Sequence, residues 1–128
     1  MQVLLDTHVW AWTLIETDQI SAPARQAIDD AEQVWLSPFS AFEIAQKVRL
    51  GKWDRMAAVV GRVGQILQDQ GVTLAPTDLV TLERAGMLNW DHRDPFDRII
   101  AATALVLGVP VVTRDRALHA FDDIHCIW

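Results

Sequence analysis

Short apolar runs rich in Val, Leu and Ile alternate with helix-compatible segments along the whole chain, and the runs end at acids or hydroxyl residues. Val3-Leu4-Leu5 closes on Asp6, Gln33-Val34-Trp35-Leu36 on Ser37, and Val111-Val112-Thr113 leads through Arg114 to Asp115. A run that is apolar at consecutive positions suits a strand buried on both faces, the pattern of a central parallel strand. Strands that alternate with helices throughout predict an α/β domain with a mostly parallel sheet. No repeat, linker or low-complexity segment interrupts this order.

The helices carry their own punctuation. Ser21 reads as an N-cap with Pro23 in the first turn, followed by Ala24, Ala27, Ile28 and Ala31 at helical spacing. Ser37-Pro38 opens a second such segment, which carries Phe39, Phe42, Ile44, Ala45 and Val48 and stops at Gly51. A helix is predicted over residues 55–70, ended by Gly71, then a strand at 72–74 and a helix near 79–85. After a polar loop at 89–93, Asp94-Pro95 opens a helix that runs to Gly108. A strand at 109–112, a short helix at 116–120 and a last strand at 124–127 complete the chain.

At 128 residues the chain is expected to form one domain, 1–128, with no room for a second catalytic unit. With 51% hydrophobic and 22% charged residues, its composition is that of a globular protein rather than a disordered or membrane one. The apolar stretches fall short of the ~20 residues that span a bilayer, and the first residues lack the pattern of a signal peptide, so none is expected. One cysteine, Cys126, excludes an internal disulfide and fits a reducing compartment, so the expected location is cytoplasmic, without a membrane. The net charge of −6 argues against a protein that coats nucleic acid, unless much of the negative charge gathers around metal ions. Of six tryptophans, most are expected in the core and the rest on an apolar surface for a protein partner.

Four acids, Asp6, Glu43, Asp97 and Asp115, stand at or just beyond the strand-to-helix junctions. Each has a structural reading of its own. Asp6 and Asp115 can cap helices, and Asp97 can serve a helix dipole. Asp94 is well placed as the cap before Pro95, and Glu43 has capping-box spacing from Ser40. Ser37-Pro38 is the stronger helix start, however, which moves Glu43 about a turn and a half inward. In a parallel sheet these junctions share one edge, outside the carboxyl ends of the strands, where ligands bind. Clustered carboxylates raise one another's pKa values and call for a cation. Carboxylates with hydroxyl neighbours, here Thr7, Ser37, Ser40 and Thr113, suit hard divalent ions, and two such ions can drive in-line phosphodiester hydrolysis. Two other readings stay open: a non-catalytic metal-binding interaction module with a tryptophan-rich face, and a phosphoryl-transfer domain with Asp6 as covalent acceptor. Against the latter, His8 stands where a haloacid-dehalogenase-type motif would want a second aspartate.

Leu4-Leu5-Asp6-Thr7-His8, residues 37–47 around Glu43, His92-Arg93-Asp94-Pro95-Phe96-Asp97-Arg98 with the helix that follows, and Val112-Thr113-Arg114-Asp115 resemble, in order and spacing, the motifs of PIN-domain ribonucleases. Within that family the chain looks like a VapC-type toxin of a bacterial type II toxin-antitoxin system. The resemblance implies a three-layer PIN-like fold with strand order 3-2-1-4-5 flanked by helices, and a Mg2+- or Mn2+-dependent endoribonuclease that forms a homodimer and is restrained by a cognate antitoxin. Carried over by position, Asp6, Glu43, Asp97 and Asp115 are the metal-binding, catalytic quartet, with Asp94, Thr113 and Ser40 as auxiliaries. A polyanionic RNA needs positive contacts near such a site, for which Lys47 and Arg98 are the candidates. Trp10, Trp12, Leu50 and Trp53 are candidate residues of an antitoxin groove.

Overall fold

The computed structural model describes residues 1–128. Five strands, β1 (Gln2–Leu5), β2 (Gln33–Leu36), β3 (Thr73–Leu74), β4 (Val111–Val112) and β5 (Cys126–Ile127), form one sheet in the order β3-β2-β1-β4-β5. Every neighbouring pair is parallel. Both the parallel α/β class and the 3-2-1-4-5 order therefore hold. Seven helices connect and cover the strands: α1 (Thr7–Ile15), α2 (Ala22–Asp30), α3 (Pro38–Arg49), α4 (Val63–Gln70), α5 (Leu79–Met87), α6 (Pro95–Leu107) and α7 (Arg116–His119).

Alternation of side chains along the strands divides the interior into two cores. Val3, Leu5 and Val112 pack with Val9 and Trp10 of α1, Ala24 of α2, Ile44 of α3 and Leu67 of α4. Leu4 and Val111 pack instead with Ile100, Ala101 and Ala104 of α6, Leu118 of α7 and Phe121. Helices thus cover both faces, which makes three layers. It also explains why Val3, Leu4 and Leu5 are all apolar: each is buried, but neighbours face opposite ways.

Cap chemistry sets the helix starts much as expected. Side chains of Ser21, Ser37, Asp78, Asp94 and Asp115 accept backbone N–H bonds at the N-termini of α2, α3, α5, α6 and α7. Gly108 ends α6 in the left-handed region at φ 66°, which a Cβ would strain. The helix expected over 55–70 is corrected. A 3-10 turn at Asp54–Met56 and a run of turns precede Gly61 at φ 85°, and the α-helix begins only at Val63. Met56 and Val59 still reach the first core from these turns, so the apolar spacing reported burial rather than a continuous helix.

Candidate functional site

The strand order reverses between β1 and β4: the chain runs outward from β1 to β3 on one side and returns to β4 and β5 on the other. At that crevice, beyond the carboxyl ends of β1 and β4, stand Asp6 and Thr113. Asp6 is buried, and both its oxygens are held. Oδ1 accepts the Thr7 backbone N–H at 2.7 Å, and Oδ2 accepts the Thr113 hydroxyl at 2.7 Å. The same Thr113 Oγ1 accepts the Asp115 backbone N–H at 3.0 Å, so one threonine ties the two acids into a single unit. Asp115 Oδ1 caps α7 by accepting from Ala117 N–H at 2.8 Å.

Glu43 sits midway along α3, buried, and its Oε2 lies 3.0 Å from Lys47 Nζ one turn on. Ser40, a turn earlier, is hydrogen-bonded to Thr7 at 2.8 Å, which fixes α3 against the start of α1. Asp97 lies in the first turn of α6, buried, with His92 Nε2 at 2.6 Å from its Oδ2. Phe42 and Phe96, the residues before Glu43 and Asp97, pack with ring centroids 5.9 Å apart, so the helices that carry those acids meet beside them.

The acids feel one another. Burial pushes the Asp6 carboxyl up to about 7, against the pull of the Thr113 hydroxyl, and the charges of Asp97 and Glu43 add to the rise. Burial likewise pushes Asp97 up to about 6, opposed by His92 and reinforced by Asp94 and Asp115. Asp6 and Asp115 have no side-chain cation in ion-pair contact, whereas Glu43 is paired with Lys47, and Asp97 is hydrogen-bonded to His92. The tightest group is His92, Asp94 and Asp97, whose potential ligand atoms lie within 4.8 Å of one another. Asp94 also caps α6 through Phe96 N–H at 2.9 Å, so its carboxylate is divided between the helix end and the site.

The donor set fits a hard divalent cation. It is oxygen-rich, and its buried Asp6 lacks a protein counter-charge, which a carboxylate would rarely tolerate without either a proton or a cation. A cleft of about 220 Å³ opens onto this edge, lined by Asp6, His8, Trp12, Arg114 and Asp115. His8 stacks on Trp53 at 4.8 Å between centroids, and burial, reinforced by Lys47, pushes its pKa down. The Arg114 guanidinium lies 4.6 Å from the Trp12 ring centre. A second cavity, about 490 Å³, is lined by Trp10, Ile20, Ile28 and Gln70 among others and shares none of the four acids.

Several sequence expectations change here. Arg98 does not face the acids: its guanidinium is bonded to backbone carbonyls of Ala85, Gly86, Leu88, Trp90 and His92, which leaves no N–H for a phosphate. Lys47 is engaged by Glu43 and lies 5.4 Å from the Trp53 ring centre. Trp10 is not a surface residue, because it is wholly buried with its indole N–H donated to Gln70 Oε1 at 2.8 Å. Trp12 and Trp53 are partly buried beside the acidic edge, while Leu50 is half exposed. Two residues gain weight. Arg114 is an exposed cation on the cleft wall, signalled in sequence only by its place before Asp115. His92 was marked by its nearness to Asp94 and Asp97, but nothing in the sequence aimed its ring.

The fold has counterparts among known proteins. A family profile described as PIN domain matches residues 3–124. Ribonuclease VapC22 of Mycobacterium tuberculosis is 32% identical over 120 residues, a match that covers 92% of this chain and 90% of that protein. The structure of VapBC2 from Rickettsia felis bound to a DNA fragment from its promoter superposes with a TM-score of 0.69 at 12% identity, over 98% of this chain and 97% of that one. FitAcB from Neisseria gonorrhoeae gives a TM-score of 0.54 at 21% identity, over 97% and 95%. At those identities the two structures speak for the fold alone, while the family profile and the curated relative carry the assignment. The chain belongs to the PIN domain family, in its VapC group.

Proposed function

We propose that this protein is a divalent-metal-dependent endoribonuclease, the toxin of a toxin-antitoxin pair, and that Asp6, Glu43, Asp97 and Asp115 form its catalytic centre. The observation that carries the reading is Asp6: a buried carboxylate at the topological switch point, held by two hydrogen bonds, without a protein cation and under the field of Asp97 and Glu43. The 32% identical Ribonuclease VapC22 supports RNA as the substrate. Mg2+ or Mn2+ suits the all-oxygen donors, with Asp94 as an auxiliary at the edge of the set. Such an ion, when bound, supplies an activated water and neutralises charge on the phosphodiester.

The protein's own groups hold the carboxylates for that ion. Thr7 N–H and the Thr113 hydroxyl fix the plane of Asp6, Lys47 steadies Glu43, and His92 holds one oxygen of Asp97. Ser40 acts one step back, through Thr7. Arg114, on the cleft wall beside Asp6 and Asp115, takes the place of Arg98 and joins Lys47 as a cation placed to meet a backbone phosphate. An unpaired RNA segment reaches an edge of this kind more readily than an A-form duplex does. A cognate antitoxin and a second copy of the chain are the proposed protein partners. Of the candidate groove residues, Trp12, Trp53 and Leu50 keep accessible surface and Trp10 does not. No helix is long and apolar enough to cross a membrane.

The test is RNA incubated with purified protein and Mn2+, beside Asp97→Asn protein and a chelated control. Cleavage by the wild type alone, abolished by chelator, is the expected result. Equal cleavage by the variant would assign the activity to a contaminant. Metal binding with no cleavage of any RNA offered would leave a binding module in place of a nuclease.

A further inference from the structure

Arg98 follows Asp97 directly, yet its side chain turns away from the acids into the segment that precedes them. Nε donates to Ala85 O at 3.0 Å, Nη1 to Trp90 O at 2.8 Å and His92 O at 2.9 Å, and Nη2 to Gly86 O at 3.2 Å and Leu88 O at 2.8 Å. A guanidinium has five N–H donors in one rigid plane, and all of them are used. The carbonyls belong to the last turns of α5 and to the loop that joins it to α6, where no helix or strand ladder would satisfy them. At the far end of that loop stands His92, constrained at its backbone and on two sides of its ring. Its own carbonyl is bound by Arg98, its ring centroid lies 4.8 Å from that of Trp90, and its Nε2 meets Asp97 Oδ2 at 2.6 Å. Trp90 is in turn stacked on buried Phe121 at 4.6 Å.

Asp97 Oδ1 makes no hydrogen bond to the protein, so the His92 contact is the one that orients this carboxylate. With its proton on Nε2, an imidazole donates to Oδ2 and leaves Oδ1 for another ligand. Partners of this kind behind a metal-binding carboxylate are worth about 10–100-fold in metal affinity or activity.

We propose that His92 is a positioning residue for Asp97, and that Arg98 places it by gathering the five carbonyls of the loop. This inference rests on Asp97 as a cation ligand. It differs from a plain structural ion pair in one respect: what matters is a donor aimed at Oδ2, not a charge or a packed ring.

Three variants separate these readings, each followed by Mn2+ calorimetry, RNA cleavage, thermal melting, and NMR of the metal-free protein. His92→Leu is expected to bind Mn2+ about 10–100-fold more weakly and to lose kcat to a similar extent with KM for RNA unchanged. His92→Gln, whose amide can donate to the same oxygen, should recover most of that loss. In metal-free wild type the His92 Nε2 proton should exchange slowly with water, and Arg98→Lys should abolish that protection while backbone amides of 88–93 exchange faster. Wild-type Mn2+ affinity in His92→Leu, or glutamine no better than leucine in folded protein, would overturn the proposal. So would an Arg98→Lys protein with the His92 proton still protected. Should Arg98→Lys fail to fold, the two His92 variants decide the matter alone. Asp97→Asn provides the separation from the functional reading: undiminished Mn2+ binding by it would refute Asp97 as a ligand, whereas loss there with none in His92→Leu would refute only the role of His92.

Discussion

The two sides of the acidic edge are built by different means. Asp6, Thr113 and Asp115 lie just beyond the ends of adjacent parallel strands, where the β1–β4 pairing brings a threonine hydroxyl onto a carboxylate. Asp97 stands on a helix, hydrogen-bonded by a histidine from a loop that Arg98 and the Trp90–Phe121 stack hold in shape. One side inherits its geometry from the sheet, the other chiefly from side chains, with Arg98 bound to main-chain oxygens and Trp90 stacked on Phe121. The sheet-built side should therefore be rigid but electrostatically costly, and the loop-built side better compensated but easier to disturb.

Asp6→Asn should break this contrast most sharply. Cleavage should fall to the detection limit, while the metal-free protein becomes more stable at pH 8. The sign follows from the carboxyl's rise from 3.8 to about 7. Folded protein keeps the proton between those values, so the stability linked to this group is complete below about pH 4 and is lost as pH climbs through about 7. The ionised form costs on the order of 4 kcal/mol at high pH, an upper bound for the gain in the variant. Melting temperatures of wild type and variant from pH 5 to 8 would diverge upward with pH; parallel curves would refute a costly Asp6. Asp97, raised to about 6, acts in the same direction over a narrower window.

Arg98→Met tests the other side through stability. Loss of the guanidinium strands loop carbonyls, and a destabilisation of roughly 2–4 kcal/mol is expected from denaturant midpoints. A change below about 0.5 kcal/mol would mean that the loop holds its shape unaided. Thr113→Val keeps the shape but removes the hydroxyl that links Asp6 to Asp115. It should cost about 1–3 kcal/mol and lower cleavage by about 10–100-fold. Trp10→Phe, away from both sides, should forfeit the Gln70 bond for about 1–2 kcal/mol and leave cleavage unchanged. Impaired antitoxin binding in that variant, with melting unaffected, would return Trp10 to the groove.

What could be read in the sequence divides along the same line. Strand ends, caps and the acids beside them are local: Asp6 follows Leu5, Ser37 and Asp94 precede proline, and Asp115 opens α7. Hydrophobic patterning and cap chemistry act over a few residues, so they leave a local trace. Arg98 leaves none, because its partners are carbonyls that every residue possesses, and an arginine beside an acid suggests an ion pair or a substrate contact instead. The 55–70 helix failed because Met56 and Val59 reach the core from turns, and the break was signalled only by Gly61 and Gly64. Trp10 shows the limit of composition: a tryptophan in a largely apolar, helix-compatible segment gave no indication that Gln70, sixty residues on, would satisfy its N–H.

The most direct measurement is the melting temperature of metal-free protein at pH 8 as Mn2+ is added, in wild type, Asp6→Asn and Asp97→Asn. If the acids of both sides share one cation site, the wild type should gain about 2.7 kcal/mol of stability at a metal concentration 100-fold above Kd, and both variants should gain little. An equal Mn2+-induced rise in Asp6→Asn would contradict a cation site at the ends of β1 and β4.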